Sequence, residues 1–332
     1  MPIKVMHVGL GPIGAGVVRQ VASRKGLTIV SAVDIDPAKV GRDLGEVCDV
    51  GRKLRVKVGS DISATIKATR PDVAVLCTSS SLKKVIPEFE AVLKLKVPIV
   101  STTEELAYPV KSNAAPAKKI DALAKRARVA VLGTGVNPGF VMDALPIALT
   151  GVCESVTAIE VDRVQDARIR RLPFQKKIGA GLTREEFQAK VDDASVRHVG
   201  LAESITMIAE AIGWKLDKVT DEIRPKMAEK EVSSQFLTVP PGKVCGLIQD
   251  GVGYRKGVPL IKLHMEAYLG APESYDAVRI TGNPPLQMKL AGGVHGDVAT
   301  ASITVNSIPK VIAAPPGLRT MRDMTLPSYF GG

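Results

Sequence analysis

Aromatic residues are few in this chain: six Phe, five Tyr and one Trp among 332 residues. Stacking platforms for bases are therefore scarce, and the formal net charge of +11 is spread along the chain and not gathered into a stripe. No nucleic-acid partner is expected; the charge reads as a solvated basic surface that helps draw a ligand's phosphates into a cleft. Cysteine is also scarce. Cys48, Cys77, Cys153 and Cys245 are scattered, with no CxxC pair and no histidine at ligand spacing, so free buried thiols and no metal are expected. Long apolar runs are missing too, since Lys, Arg or Asp interrupts each within about ten residues where a membrane span needs about 20. No membrane segment is expected. A strand beginning almost at the N-terminus leaves no room for a cleavable leader, which makes the cytoplasm the expected location.

What is present is an ordinary globular composition in a chain longer than the roughly 250–300 residues at which single cores stop growing, so two domains are expected. Residues 3–8 read as a strand ending at Gly9, residues 12–24 as a helix with Ile13, Val17, Val18 and Val21 along one side, and 28–33 as a strand stopping at Asp34. That is a βαβ unit. Apolar runs at 72–78, 97–101 and 129–133, separated by helical stretches near 82–95 and 114–127, extend it into a parallel sheet covered on both faces. After Pro138 the pattern changes to longer alternating strands at 156–163, 260–268 and 277–281, with a helix near 199–213. The expected fold class is α/β: a Rossmann doubly wound parallel sheet with a second α+β domain. Residues 1–140 form the dinucleotide-binding domain, rejoined by 296–332 through a small-residue helix near 297–311, and 141–295 form the substrate-binding domain. Its edge strands make a homodimer the expected assembly.

Gly9-Leu-Gly11-Pro12-Ile13-Gly14 follows the first strand and opens the first helix, and Asp34 lies about 20 residues on, where a ribose-binding acid belongs. Gly9 allows the tight turn, Gly11 the close approach of a pyrophosphate, and Gly14 the packing of helix on strand, with the helix N-terminus facing the phosphate charge. Asp34 favours NAD over NADP because a 2′-phosphate would meet a carboxylate; Lys39 and Arg42 are near enough to keep NADP open. Three polar strand ends gather at the carboxyl edge of the sheet, where ligands of such folds bind. Thr78-Ser79-Ser80-Ser81 either meets the cofactor or caps the next helix. Ser101-Thr102-Thr103-Glu104-Glu105 places Thr102 beside the cofactor and offers two carboxylates, which either complement a helix dipole or bind a cationic amine and take its proton. Gly133 to Phe140 contains Asn137-Pro138-Gly139-Phe140, a turn in either case and, in the functional reading, a substrate contact. Of the histidines, His7 reads as structural, His264 as a candidate facing the substrate pocket, and His295 as a residue approaching the cofactor before the terminal helix. Arg163, Arg168, Arg170 and Arg171 are either a carboxylate site or a solvated loop.

The segments GLGPIG at 9–14, STTEEL at 101–106, GTGVNPGF at 133–140, GGVHGD at 292–297 and VNSIPKVIAAPPGL at 305–318 carry a resemblance over nearly the full length. The chain resembles the 2,4-diaminopentanoate dehydrogenase group and the related native amine dehydrogenases, within the dihydrodipicolinate reductase-like superfamily. The resemblance implies oxidative deamination of an amine, or reductive amination of a ketone or aldehyde with ammonia, using NAD(P)H. It also implies a catalytic glutamate near the nicotinamide, matching the Glu104–Glu105 pair, of which Glu104 is nearer the strand end. The adjacent histidines of dihydrodipicolinate reductase itself have no counterpart. Rival readings are a reductase of C=O or C=C bonds that needs no ammonia, and a protein that binds NAD(P) without turnover.

Overall fold

The computed structural model describes residues 1–331. Along the chain run β1 (Ile3–Val8), α1 (Pro12–Ser23), β2 (Leu27–Val33), α2 (Leu44–Val47), β3 (Val58–Gly59), α3 (Ile62–Thr69), β4 (Val73–Leu76), α4 (Leu82–Lys94), β5 (Ile99–Ser101), α5 (Ala114–Ala127) and β6 (Ala130–Gly133). There follow α6 (Ala144–Thr150), β7 (Ser155–Asp166), α7 (Leu172–Lys177), α8 (Arg184–Asp192), α9 (Leu201–Ala211), β8 (Lys218–Met227), β9 (Val232–Ser233), β10 (Thr238–Val239), β11 (Val244–Arg255), β12 (Val258–Tyr268), β13 (Tyr275–Asn283) and β14 (Leu286–Ala291). The chain ends with α10 (Gly296–Ala313) and β15 (Gly317–Arg319). It divides into two compact units, Met1–Phe140 with His295–Gly332, and Val141–Val294.

The first unit is built on a parallel sheet of order β3-β2-β1-β4-β5-β6-β15. Its strands are short and apolar because both faces are covered: every residue of β4 is buried. One face packs Met6, Val8, Ala74, Leu76 and Ile99 against Phe89, Val92, Leu93 and Ile120 of α4 and α5. α1 and α10 pack on each other, and α10 also lies on β4, β5 and β6. Gln20 Nε2 donates to Val298 O (3.3 Å) and Ser302 Oγ (3.0 Å), while Arg24 donates to Asn306 Oδ1 (2.9 Å). Residue numbers rise together in these pairs, so the two helices run parallel. A Cβ at Gly16 would lie 3.6 Å from that of Ala301, and such small residues let the axes approach. His7, 1% exposed within β1, is held neutral by burial, which pushes its pKa down to about 3.

The runs expected as strands at 72–78 and 97–101 are strand over 73–76 and 99–101, with Asp72, Cys77 and Pro98 still bonded to neighbouring strands through their backbones. Of the elements the apolar runs do not announce, β3 has just two residues, and β15 extends the sheet beyond β6, the Gly317 N–H donating to Val129 O at 3.0 Å.

The second unit carries a six-stranded sheet of order β14-β13-β7-β12-β11-β8, in which β7 and β12 pair parallel and the other neighbours antiparallel. Ile261, Leu263, Met265 and Ala267 are buried on one face, whereas Lys262, His264 and Glu266 alternate onto the other. The apolar face takes α9: Cβ atoms at Gly251 and Gly253 would stand 2.9 and 2.8 Å from Ile205 side-chain atoms. β11 is not among the strands expected from sequence, and its glycines admit a helix. The polar face is a ladder of ion pairs, Lys262–Glu160 (2.9 Å), Arg279–Asp162 (2.6 Å) and Arg279–Glu160 (3.2 Å) among them.

Candidate active site

The glycine loop between β1 and α1 lies where β1 is flanked by β2 and β4, the point at which the strand order reverses. Gly9 has φ +84°, and a Cβ there would meet Thr78 Cγ2 at 2.6 Å and Cys77 O at 2.7 Å. A Cβ on Gly14 would fall 2.0 Å from Gly9 O, so α1 can start here only without one. Gly11 is different. Its backbone (φ −68°, ψ −177°) suits any residue, and a Cβ would find no atom within 4 Å. Nothing inside the fold requires glycine at this position, so the space beside it is a cradle left for something else. No side chain among the described residues caps α1, and Pro12 opens it, leaving the positive helix end to an outside anion. A dinucleotide's diphosphate fits this arrangement.

Asp34, 7% exposed, is engaged before any ligand arrives. Its carboxylate accepts from Leu10 N (2.7 Å), Asp36 N (2.9 Å) and Lys39 Nζ (3.2 Å). Burial pushes its pKa up, but those donors outweigh it and hold the group below the usual carboxylate range. Lys39 also pairs with Asp36 at 3.5 Å, while Arg42 is exposed and bonds its own turn at Ala38 O. Ile35, next to Asp34, is 92% exposed, an apolar surface on the nucleotide side that the motif reading passed over.

At the end of β4 the Ser/Thr run does not cap α4. Thr78 donates to Glu88 Oε2 (2.6 Å), and Ser79 Oγ accepts from Ser81 N (3.2 Å). Ser81 occupies the N-cap position of α4 without a side-chain cap bond. The acceptor comes from further along the chain: Glu105 Oε2 takes the Leu82 N–H at 2.8 Å, and Glu105 N–H donates to Ser80 O at 3.2 Å. Glu104, one residue earlier, behaves otherwise. Its Oε2 is shut away from solvent and has no hydrogen-bond partner among the described residues. Thr102 donates its backbone N–H to Leu76 O (3.0 Å), and its hydroxyl bonds the Cys77 thiol, which burial pushes up to about 12.

The register Leu76–Ser101–Gly133 brings these loops level with the end of β6. A Cβ on Gly133 would touch Leu106 C at 2.6 Å, so the β6 end is pressed against the turn carrying Glu104. Thr134 N donates to Ser101 O (2.9 Å), and the Thr134 hydroxyl, like Glu104 Oε2, is buried without a partner among the described residues. The Asn137–Pro138 peptide is cis and Gly139 has φ +125°, its Cβ position 2.4 Å from Gly135 N, so the loop folds back on itself. Asn137 is buried and Phe140 half-buried, and Val136 N reaches Thr300 Oγ1 of α10 at 3.4 Å.

Residues 140–332 match the family described as 2,4-diaminopentanoate dehydrogenase C-terminal domain, and residues 3–132 match dihydrodipicolinate reductase, N-terminus. A 2,4-diaminopentanoate dehydrogenase of Acetoanaerobium sticklandii is 35% identical over 99% of this chain and 95% of that protein. The chain belongs to the 2,4-diaminopentanoate dehydrogenase family. An amine dehydrogenase of Streptomyces virginiae is 23% identical over 97% of the chain and 96% of its own length. The solved amine dehydrogenase of Mycobacterium smegmatis superposes with a TM-score of 0.88 at 25% identity, covering 100% of this chain and 98% of that one. The first unit of this family member is thus an NAD(P)-binding Rossmann domain, and no helix among the described residues is long and apolar enough to cross a membrane.

Gly9, Gly11, Pro12, Ile13, Gly14, Asp34, Thr78, Ser79, Ser80, Thr102, Glu104, Glu105, Asn137, Pro138, Gly139 and Phe140 all lie in the first unit, on the loops and helix starts that follow the carboxyl ends of its strands. His264 belongs to the second unit, where its ring nitrogens meet Asp250 Oδ1 (2.6 Å) and Glu266 Oε1 (3.1 Å) on the polar sheet face. Three of the arginines have partners within the second unit. Arg163, 2% exposed, pairs with Asp276 (2.7 Å) and donates to Val294 O; Arg168 pairs with Asp166; Arg170 bonds Gln165 and stacks over Phe174 at 4.0 Å. His295 caps α10, its Nδ1 accepting from Val298 N at 3.5 Å. Ile35, Thr134 and Thr300 were not singled out by motif; Thr134 stands within GTGVNPGF, so a polar residue at a strand exit was the available signal.

Proposed function

We propose that this chain is an NAD(P)-dependent amine dehydrogenase, interconverting an amine with a ketone or aldehyde and ammonia, and that Glu104 is its catalytic residue. The observation that carries the reading is the Glu104 carboxylate oxygen, buried beside the glycine loop's neighbouring strand ends with no donor among the described residues. An unsatisfied buried acceptor costs about 1–3 kcal/mol, which a substrate ammonium donor would relieve. A carboxylate there binds the ammonium, takes its proton during oxidation, returns it during amination, and stabilises the cationic carbon–nitrogen group between them. The nicotinamide, when bound, supplies hydride exchange with the amine-bearing carbon. Gly9, Gly11, Pro12, Ile13 and Gly14 would hold the diphosphate, Asp34 the adenosine ribose, and Ser79, Ser80 and Thr102 the nicotinamide half. Asn137, Pro138, Gly139 and Phe140 would line the substrate.

The cofactor preference we assign is NAD, since Asp34 stands at the ribose; Lys39, already neutralising it, keeps NADP usable. The remaining partners are small: an amine or carbonyl substrate and ammonia, with a second copy of the chain in a homodimer. The four cysteines are free, in keeping with a cytoplasmic location.

Consumption of NADH and NADPH with a panel of ketones and aldehydes, with and without ammonium, tests the proposal. Glu104→Gln is expected to lower kcat by about 10²–10⁴ while NADH Kd changes little. Turnover independent of ammonium would instead point to a C=O or C=C reductase, and binding without turnover to a non-catalytic protein.

A further inference from the structure

Glu105 spans two loops. Its carboxylate takes the Leu82 N–H at 2.8 Å, a first-turn donor of α4 that Ser81 leaves uncapped, and its own N–H donates to Ser80 O at 3.2 Å. One residue thereby fastens the segment 80–82 from both sides: a backbone link to Ser80 and a side-chain link two residues later. The link works in the other direction as well. Glu105 follows Glu104 in the same 3-10 turn, Glu104–Leu106, whose far side is closed by the β6 end at Gly133. With Gly133 pressed on Leu106 and Glu105 tied to Ser80 and Leu82, the turn is held from two neighbouring strand ends, and Glu104 has little freedom to move.

We infer that Glu105 is a positioning residue, a brace that sets both the cofactor-facing Ser79–Ser81 segment and the Glu104 carboxylate. The brace rests on the proposed assignment of Glu104 and of the dinucleotide site. Because it serves both segments, its loss moves two quantities together, cofactor affinity and kcat, whereas loss of Glu104 moves kcat. What the brace uses is an acceptor oxygen at a helix N-terminus, so an amide oxygen replaces it and a methyl group does not.

Glu105→Ala and Glu105→Gln are compared with the parent by NADH fluorescence titration, by ammonium-dependent turnover, by thermal melting, and by hydrogen exchange over residues 80–84 without cofactor. Glu105→Ala is expected to weaken NADH binding and lower kcat by about tenfold or more each, the scale of a lost cap bond propagated to two sites, and to lose protection of the Leu82 amide. Glu105→Gln should regain most of all three. Unchanged NADH affinity and Leu82 exchange in Glu105→Ala would overturn the brace, as would a Gln variant as impaired as the Ala one. If Glu105→Ala does not fold, the Gln variant decides alone: near-parental NADH affinity and Leu82 protection support the brace, and loss of both overturns it. The exchange readout needs no ligand. Failure of the amine reading would appear separately, as parent turnover that does not depend on ammonium, and failure of the Glu104 assignment as ammonium-dependent turnover retained by Glu104→Gln.

Discussion

Gly11 and Gly14 look alike in sequence, and their structures assign opposite consequences to the same methyl group. In Gly11→Ala the new Cβ enters open space, and the backbone already sits where alanine is comfortable. Removing a glycine from the unfolded ensemble then stabilises by about 0.4–1 kcal/mol, a Tm change between zero and roughly +4 °C for a domain of this size. The methyl group would nevertheless occupy the diphosphate's approach. Two charge-assisted backbone bonds at about 1.5 kcal/mol or more each amount to ~3 kcal/mol, a loss of about 150-fold or more in NADH affinity. In Gly14→Ala the Cβ overlaps Gly9 O at 2.0 Å, which nothing relieves short of moving the loop. Overpacking of that kind costs ~1–3 kcal/mol, lowering Tm by several degrees as well as weakening NADH. Melting without cofactor and fluorescence titration with NADH separate the two. Normal NADH affinity in Gly11→Ala would remove the diphosphate from this loop, and a Tm fall beyond about 3 °C would show that the space is not open.

Two further expectations concern the second unit. Arg163→Met leaves Asp276 as an unpaired charge at 2% exposure and should cost about 3–5 kcal/mol in urea denaturation, with much of it recovered in the Arg163→Met/Asp276→Leu double variant; a single-variant loss under about 0.5 kcal/mol would refute the pairing argument. For His264, burial pushes the imidazole pKa down, but hydrogen bonds to Asp250 and Glu266 outweigh it and leave it raised. A raised folded-state pKa makes the stabilisation complete below the ordinary histidine value of about 6.5 and lost as pH climbs through the folded value. Parent Tm should therefore fall more steeply than that of His264→Gln between about pH 6 and 8.5, and equal slopes would contradict it.

Local chemistry in the sequence determined the nucleotide-binding half. A glycine loop between an apolar strand and an amphipathic helix, followed at fixed distance by Asp34, needs no long-range information, because turn, helix start and strand end are each set by residues a few positions apart. Of the alternating strands of the second unit, β7, β12 and β13 were legible for the same reason; β8, β11 and β14 were not, and the glycines of β11 take their meaning only from α9 packed on them. Partner choice between distant residues was not legible. Two adjacent glutamates have the same local signature; they separate only because α4 starts beside the turn after β5, giving Glu105 the Leu82 N–H and leaving Glu104 with a carboxylate oxygen that has no donor among the described residues. In sequence, His264 is a candidate and Arg163 has two open readings, with no partner visible for either; the partners lie 14 and 113 positions away, in neighbouring strands of the sheet. Periodicity and spacing fix what each segment becomes; which buried charges meet depends on sheet register, and register is a property of the folded chain.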